Sequence, residues 1–397
     1  MWMTYLVLFP IPSLYMKKRI LFLLALYFMW LPLLAIQKPV FMLYHHALAS
    51  GCSLIDYLKV ITHGLLLDCT IAGYLTALPL LMTLVSVWLP GSFYRKLLKG
   101  YFGIMAVLIA AIFSVDVALY GYWGFRLDAT LFFYLQSPGD AMASVPLGQF
   151  FAQLLMFAVY AFGIYWVLKR FIVPLFPETQ VRKRLGGSLI IILSGGILFI
   201  PIRGGVTTST ANVGMVYFSQ NQFLNHSAIN PCFSLMESLS RQDNFDKQYR
   251  FMPAEEADKL FAELKDQPVA PTDSIPQLFT TERPNVILII LESFSSKLME
   301  TLGGESNVAI NMDQFGREGV LFTHFFANSF RTDRGLAAII SGYPAQPTTS
   351  IMKYPKKTQH LPSIPGSLKK AGYDLQYYYG GDADFTNMRS YLIQAGI

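Results

Sequence analysis

The chain has 397 residues, of which 53% are hydrophobic and only 14% charged, where a soluble domain carries about a quarter charged residues. The deficit falls between residues 19 and 205, so one part of the chain is written for lipid and another, from about residue 240, for water. A net charge of +6 without an aromatic-interleaved basic patch gives no footing for a nucleic-acid partner. Three scattered cysteines exclude a disulfide framework or a zinc knuckle, and leave Cys52 and Cys232 either bridged or as unpaired thiols.

Residues 1–15 are apolar but too short to span. From Met16 the sequence "MKKRILFLLALYF" has basic residues just ahead of an apolar run, the look of a bacterial membrane-protein start, and Met16 is the expected initiator. Five stretches reach the ~20 apolar residues that a span requires: 19–36, 64–89, 101–122, 149–169 and 186–202. Basic residues collect on every second connection. Lys17, Lys18 and Arg19 precede the first span, Arg95, Lys96 and Lys99 precede the third, and Lys169, Arg170, Arg182, Lys183 and Arg184 lie between the fourth and fifth. The alternate connections, 37–63 and 123–148, are poor in Lys and Arg, which predicts a cytoplasmic N-terminus and an extracytoplasmic C-terminal part. Asp68 and Asp116 lie inside spans and are either functional charges or packing polarity between helices. Trp30, Trp88, Tyr120 and Trp123 fit an interfacial belt.

The domain reading is a transmembrane part over 1–203, an elbow over 204–280 and a globular domain over 281–397. The elbow carries a hydroxyl-rich "TTST" at 207–210, expected at the membrane interface, a polar helix in "PAEEADKLFAELKD" and a proline-rich stretch at 267–277. Beyond it, short apolar runs alternate with amphipathic segments. "NVILIILES", "VLFTHFFANS" and "YDLQYYYGG" read as strands, the first as a central one. "NMDQFGREG", "TDRGLAAIISG", "SIPGSLKKAG" and "DFTNMRSYLIQAG" read as helices. The alternation predicts an α/β domain with a mostly parallel sheet, whose ligands bind at the carboxyl ends of its strands.

Glu292, Thr332 and the Asp382–Arg389 loop fall at those ends. A carboxylate that holds a divalent cation, a hydroxyl activated by it and a guanidinium fork for phosphate oxygens suit attack on a phosphoester. The bland alternatives are an N-cap role for Thr332, a helix cap for Glu292 and a surface pair of Arg389 with Asp382 or Asp384. His324 and His360 are read as structural.

Five spans, an elbow, and the motifs "NVILIILESFSSK", "FFANSFRTDRGLAAIISGYPAQP" and "YYYGGDADFTNMR" closely resemble the lipoteichoic acid synthase-like branch of the sulfatase and alkaline phosphatase superfamily. The resemblance implies that Glu292 is a metal ligand, that Thr332 is both metal ligand and nucleophile, and that Arg389 contacts substrate phosphate. It implies a divalent cofactor, manganese before zinc or magnesium, a membrane phospholipid as donor and an envelope glycan or lipid as acceptor. Thr332 would take phosphoglycerol or phosphoethanolamine as a phosphothreonine ester, outside the bacterial cytoplasmic membrane. The alternatives are a sulfatase or phosphodiesterase that uses water, and an inactive membrane module.

The sequence departs from the family at Gly380 and Asn387, where members with gram-positive substrates have a histidine and a tryptophan. It also lacks the Asp-His pair that completes the family's metal site, so the expectation is a C-terminally incomplete version of a longer enzyme, with low or absent activity as it stands.

Overall fold

The computed structural model describes residues 14–129, 131–134, 146–178, 181, 183–240, 251–265, 280–346 and 349–397. The first thirteen residues, Arg182 and the proline-rich stretch 267–277 lie outside them. The longer helices are α1 (Leu14–Ala35), α2 (Gln37–Tyr44), α3 (Leu54–Trp88), α4 (Phe93–Trp123), α5 (Leu147–Val167), α6 (Arg184–Arg203), α7 (Gln222–Ala228), α8 (Pro231–Ser240), α9 (Ala254–Lys265), α10 (Ile310–Glu318), α11 (Thr332–Ser341), α12 (Ile364–Lys370) and α13 (Met388–Gln394). The chain divides into two compact units, 1–241 with 333–397, and 242–332.

Five helical stretches are long and apolar enough to cross a membrane: Met16–Tyr44, Leu54–Trp88, Phe93–Trp123, Leu147–Leu175 and Arg184–Arg203. The chain is therefore a multi-pass membrane protein. Most spans run longer than the apolar stretches in the sequence, because helix caps rather than hydropathy set their ends. At the start of α3, Ser53 Oγ accepts from the Asp56 N–H while Asp56 Oδ2 accepts from the Ser53 N–H at 2.8 Å, a reciprocal cap ten residues before the apolar run. Gly124 (φ 64°) and Gly204 (φ 94°) end α4 and α6 in the left-handed conformation that glycine adopts without strain.

Neighbouring spans run antiparallel. Gln37 at the end of the first donates to Tyr160 on α5, and Gln153 donates to Tyr44 at 3.0 Å. At the other end Arg19 reaches the Ser86 carbonyl, and the Trp88 indole donates to Ser188 at 2.8 Å. Trp30 is not interfacial: it is fully buried, edge-on to Phe102 at 6.3 Å, because its helix face points at α4 rather than at lipid. Tyr120 is buried too, bonded to His226 at 3.0 Å, whereas Trp88 is 44% exposed as an interfacial residue should be.

Asp68 and Asp116 find partners that their helices do not supply. Lys38 Nζ lies 2.5 Å from Asp68 Oδ2, and Asn230 Nδ2 donates to the other oxygen at 2.8 Å. The lysine passes over Gly64, where a Cβ would lie 2.0 Å from Lys38 Cε. Arg126 Nη2 lies 2.7 Å from Asp116 Oδ2, while Arg126 Nε and the Leu127 N–H both donate to Oδ1. All four charged side chains are at most 2% exposed.

The bundle core does not stop at residue 203. Val213, Val216, Tyr217, Phe223, Leu224, Ala228, Ile229 and Phe233 join the same buried cluster as Phe41, Leu67 and Phe113 of the spans. In this unit the turn and helices after the fifth span are therefore part of the membrane-domain packing. Asn230 and the His226 carbonyl close the two ion pairs from above. All three cysteines stand as thiols.

In the unit 242–332, α9 and α10 are the long helices, and 285–291 has no regular secondary structure. No strand forms among the described residues. The stretches expected as strands, 285–291, 320–329 and 373–379, form no ladder, and Ile287 is 86% exposed. An apolar run of this kind becomes a strand only when a neighbouring strand pairs with it.

Two outcomes test this packing. Asp68→Asn or Lys38→Met alone should destabilise by about 3–5 kcal/mol, since each strands a buried charge. The pair Lys38→Met with Asp68→Leu should recover most of that loss, read by thermal melting in detergent. His226, beneath the Arg126 guanidinium, is driven by burial and by that charge to a pKa of about 3. The unfolded chain, with an ordinary value near 6.5, binds the extra proton between those limits, so stability should fall as pH drops from 6.5 toward 3 and be complete above it. His226→Gln should flatten that part of the profile.

Candidate active site

Glu292 follows the apolar stretch 285–291, and the chain turns immediately after it at Ser293, whose φ is 59°. Thr332 is the first residue of α11, and its Oγ1 donates to Glu292 Oε1 at 2.5 Å. A hydroxyl donating to an ionised carboxylate is among the stronger hydrogen bonds. Glu292 is exposed and Thr332 half-exposed, so the pair stays open to solvent. The N–H groups and dipole of α11 favour negative charge at this end. A capping threonine accepts from its own helix; Thr332 instead donates to a residue 40 positions away. Of the flanking arginines, Arg331 is exposed and Arg334 buried.

The two side chains suit an oxygen-preferring divalent cation in kind, as a carboxylate and a hydroxyl oxygen. They supply two donors, and among the described residues no group of three or more His, Cys, Asp or Glu side chains is placed to hold a metal.

Arg389 lies in the other compact unit, on α13. Its Nε donates to Asp384 Oδ1 at 2.5 Å and its Nη2 to Oδ2 at 3.2 Å, a two-point fork that raises its pKa further. The neighbouring Asp382 accepts from Ser209 Oγ at 2.7 Å and Thr208 Oγ1 at 3.3 Å, and these bonds, the Ser209 one foremost, hold it below the usual carboxylate range. Asn212 Nδ2 donates to the Asp384 carbonyl, and the Gly214 N–H donates to Asn387 Oδ1. The hydroxyl-rich segment thus braces the 382–389 loop, a role that its sequence reading did not contain. His324 and His360 are both exposed, so neither is a core histidine.

The sulfatase family model matches residues 284–393. This stretch contains Glu292, Thr332 and Arg389. The match supports the sulfatase and alkaline phosphatase superfamily for this part of the chain, and it is broader than the lipoteichoic acid synthase-like branch. No solved structure matches the chain. The structure thus brings two of the three expected site residues of the sulfatase-like segment together and gives the third to Asp384.

The brace holds two non-glycine residues in the left-handed region, Thr386 (φ 53°) and Asn387 (φ 63°). Asparagine tolerates this conformation, whereas a β-branched threonine is strained there. Thr386→Gly should therefore stabilise the protein by about 1 kcal/mol, seen as a higher melting midpoint, while Asn387→Val should lower it.

Proposed function

We propose that the protein transfers a phospholipid head group, phosphoglycerol or phosphoethanolamine, outside the bacterial cytoplasmic membrane. The observation that carries the reading is the Thr332–Glu292 hydrogen bond at the start of α11, inside the sulfatase-like segment. Five spans in the same chain support a lipid substrate, because they keep the enzyme beside it and raise its effective concentration. The basic residues on alternate connections support a cytoplasmic N-terminus and an outer C-terminal part.

Glu292 orients Oγ1 of Thr332 and accepts its hydrogen. Oγ1 forms a bond to the phosphorus of the donor lipid, the bond to the diacylglycerol oxygen breaks, and that oxygen leaves with a proton. The head group stays on Thr332 as a phosphothreonine ester until a hydroxyl of an envelope glycan or lipid attacks the same phosphorus and releases the threonine. Splitting the transfer in two gives each displacement a simpler geometry. Helix α11 offers its N-terminal dipole to the negative phosphoryl group. A divalent cation, manganese by preference, would be held by Glu292 and Thr332 and would lower the pKa of the hydroxyl. Asp384 occupies the fork of Arg389, so phosphate contact there would have to displace it.

The test is a mass measurement on Thr332 after incubation with phosphatidylglycerol or phosphatidylethanolamine. The wild type should carry the corresponding head group, Thr332→Ala should carry none, and Thr332→Ser should carry it at a reduced rate. Undiminished lipid processing by Thr332→Ala sinks the mechanism. Release of free head group without transfer would instead identify a water-using phosphodiesterase.

A further inference from the structure

The end of the bundle opposite the two buried ion pairs carries a different electrostatic pattern. After α5 the helix loosens into a π-turn, Leu168–Ile172, followed by a 3₁₀ turn, Val173–Leu175. Leu168, Ile172, Val173 and Phe176 point inward and are at most 3% exposed. Phe176 meets Phe22 of α1 edge-on at 5.1 Å and Tyr94 of α4 at 5.5 Å. This aromatic plug gathers the starts of α1 and α4 around the π-turn and closes the end of the bundle. It also turns the basic residues of all three elements outward: Lys17, Lys18, Lys96, Lys99, Lys169 and Arg170 are exposed.

Counter-charge is nearly absent there. Among the described residues of these connections the one carboxylate is Glu178, and Arg95 binds it at 3.2 Å while also reaching the carbonyls of Pro174 and Phe176. The six outward cations form no ion pair among the described residues. Lys169 and Arg170 are poised over the Tyr165 and Phe171 rings at 5.4 and 5.6 Å, which orders the stems while leaving the charged heads outside. Directly beside them, Leu21, Leu97, Trp166 and Phe171 are 47–58% exposed, the dress of a surface that faces lipid tails. A ring of cations on the rim of such a belt lies at head-group depth.

We infer that this basic collar is a binding surface for anionic phospholipid head groups of the leaflet it faces, centred where the π-turn packs beside the start of α4. The lipid-facing rim argues for a membrane lipid over a soluble polyanion, and the collar is separate from the lipid proposed as donor. Binding draws on the charge of each lysine and arginine and shields the mutual repulsion of the six cations.

The full chain in neutral detergent is to be titrated with phosphatidylglycerol and, separately, with phosphatidylcholine of the same acyl chains, followed by native mass spectrometry and thermal melting. Phosphatidylglycerol should bind preferentially and raise the melting midpoint. Lys169→Gln with Arg170→Gln should cut that preference by about five-fold per charge removed, the equivalent of ~1 kcal/mol each. Lys96→Gln with Lys99→Gln should do the same, and either pair should melt like wild type in phosphatidylcholine. Equal binding of the two lipids by the wild type, or unchanged preference in both paired variants, overturns the inference. So does an equal shift with inorganic phosphate, which would make the collar a site for free anions.

Discussion

Asp68 and Asp116 lie on neighbouring spans, each too deep for water to reach, and an unpaired carboxylate at that depth costs several kcal/mol. Each is neutralised by a cation that comes from another part of the chain, Lys38 from the end of the first span and Arg126 from the connection after the third. Salt bridges alone leave oxygen lone pairs unsatisfied, and the remaining donors are the Asn230 amide and the Leu127 N–H. Arg126 in turn bonds the His226 carbonyl and lies over the Phe41 ring at 4.2 Å. The requirement to satisfy two buried carboxylates thus draws the first three spans, a connection and the helices after the fifth span into one core. An elbow free to swing would have to abandon Asn230's bond to Asp68, so the segment 222–235 is a mount rather than a hinge.

The membrane part was the more legible half of the sequence because its signal is long and redundant. Each span repeats one instruction over some twenty residues. What could not be read was pairing across the bundle. Lys38 sits beyond the first apolar run as one more polar residue, and nothing local ties it to Asp68, thirty positions on. Arg126 is ten residues from Asp116 across a glycine-ended helix, which a search for opposite charges near an intramembrane carboxylate would have caught. Trp30 looked interfacial from composition and proved to be core, since an aromatic residue's place depends on which neighbour its helix face meets. The expected strands rest on pairing between distant segments, the kind of contact a local pattern specifies least. Among the described residues those segments form no ladder.

In the sulfatase-like segment the carboxylates divide into two kinds of environment. Asp382 and Asp384 are saturated: hydroxyls of Thr208 and Ser209, a backbone N–H and the Arg389 fork account for their oxygens. These bonds tie the loop to the residues that follow the fifth span, and they make Arg389 a structural cation in this arrangement. Glu292 is exposed and its described partner is a side-chain hydroxyl. A carboxylate in that state keeps acceptor capacity for a further ligand, whereas one saturated by its own fold has to give up structure to bind anything.

Two local hydroxyl–carboxylate pairs offer a contrast with Thr332. At Ser53–Asp56 and at Thr301–Asp313 a backbone N–H donates to the same carboxylate as the hydroxyl, and the residues are 3 and 12 positions apart. That doubled bond is the mark of a cap or turn lock, in which the side chains serve the local backbone. At Thr332–Glu292 the geometry differs on both counts: the residues are 40 apart, and among the described residues the hydroxyl is the donor without an accompanying N–H. A hydroxyl held this way contributes little to closing a turn, but it is oriented, half-exposed and set at a helix N-terminus. Orientation and access are properties that a nucleophile toward phosphorus requires, although a long-range hydroxyl bond can also be structural, as Ser209 to Asp382 shows.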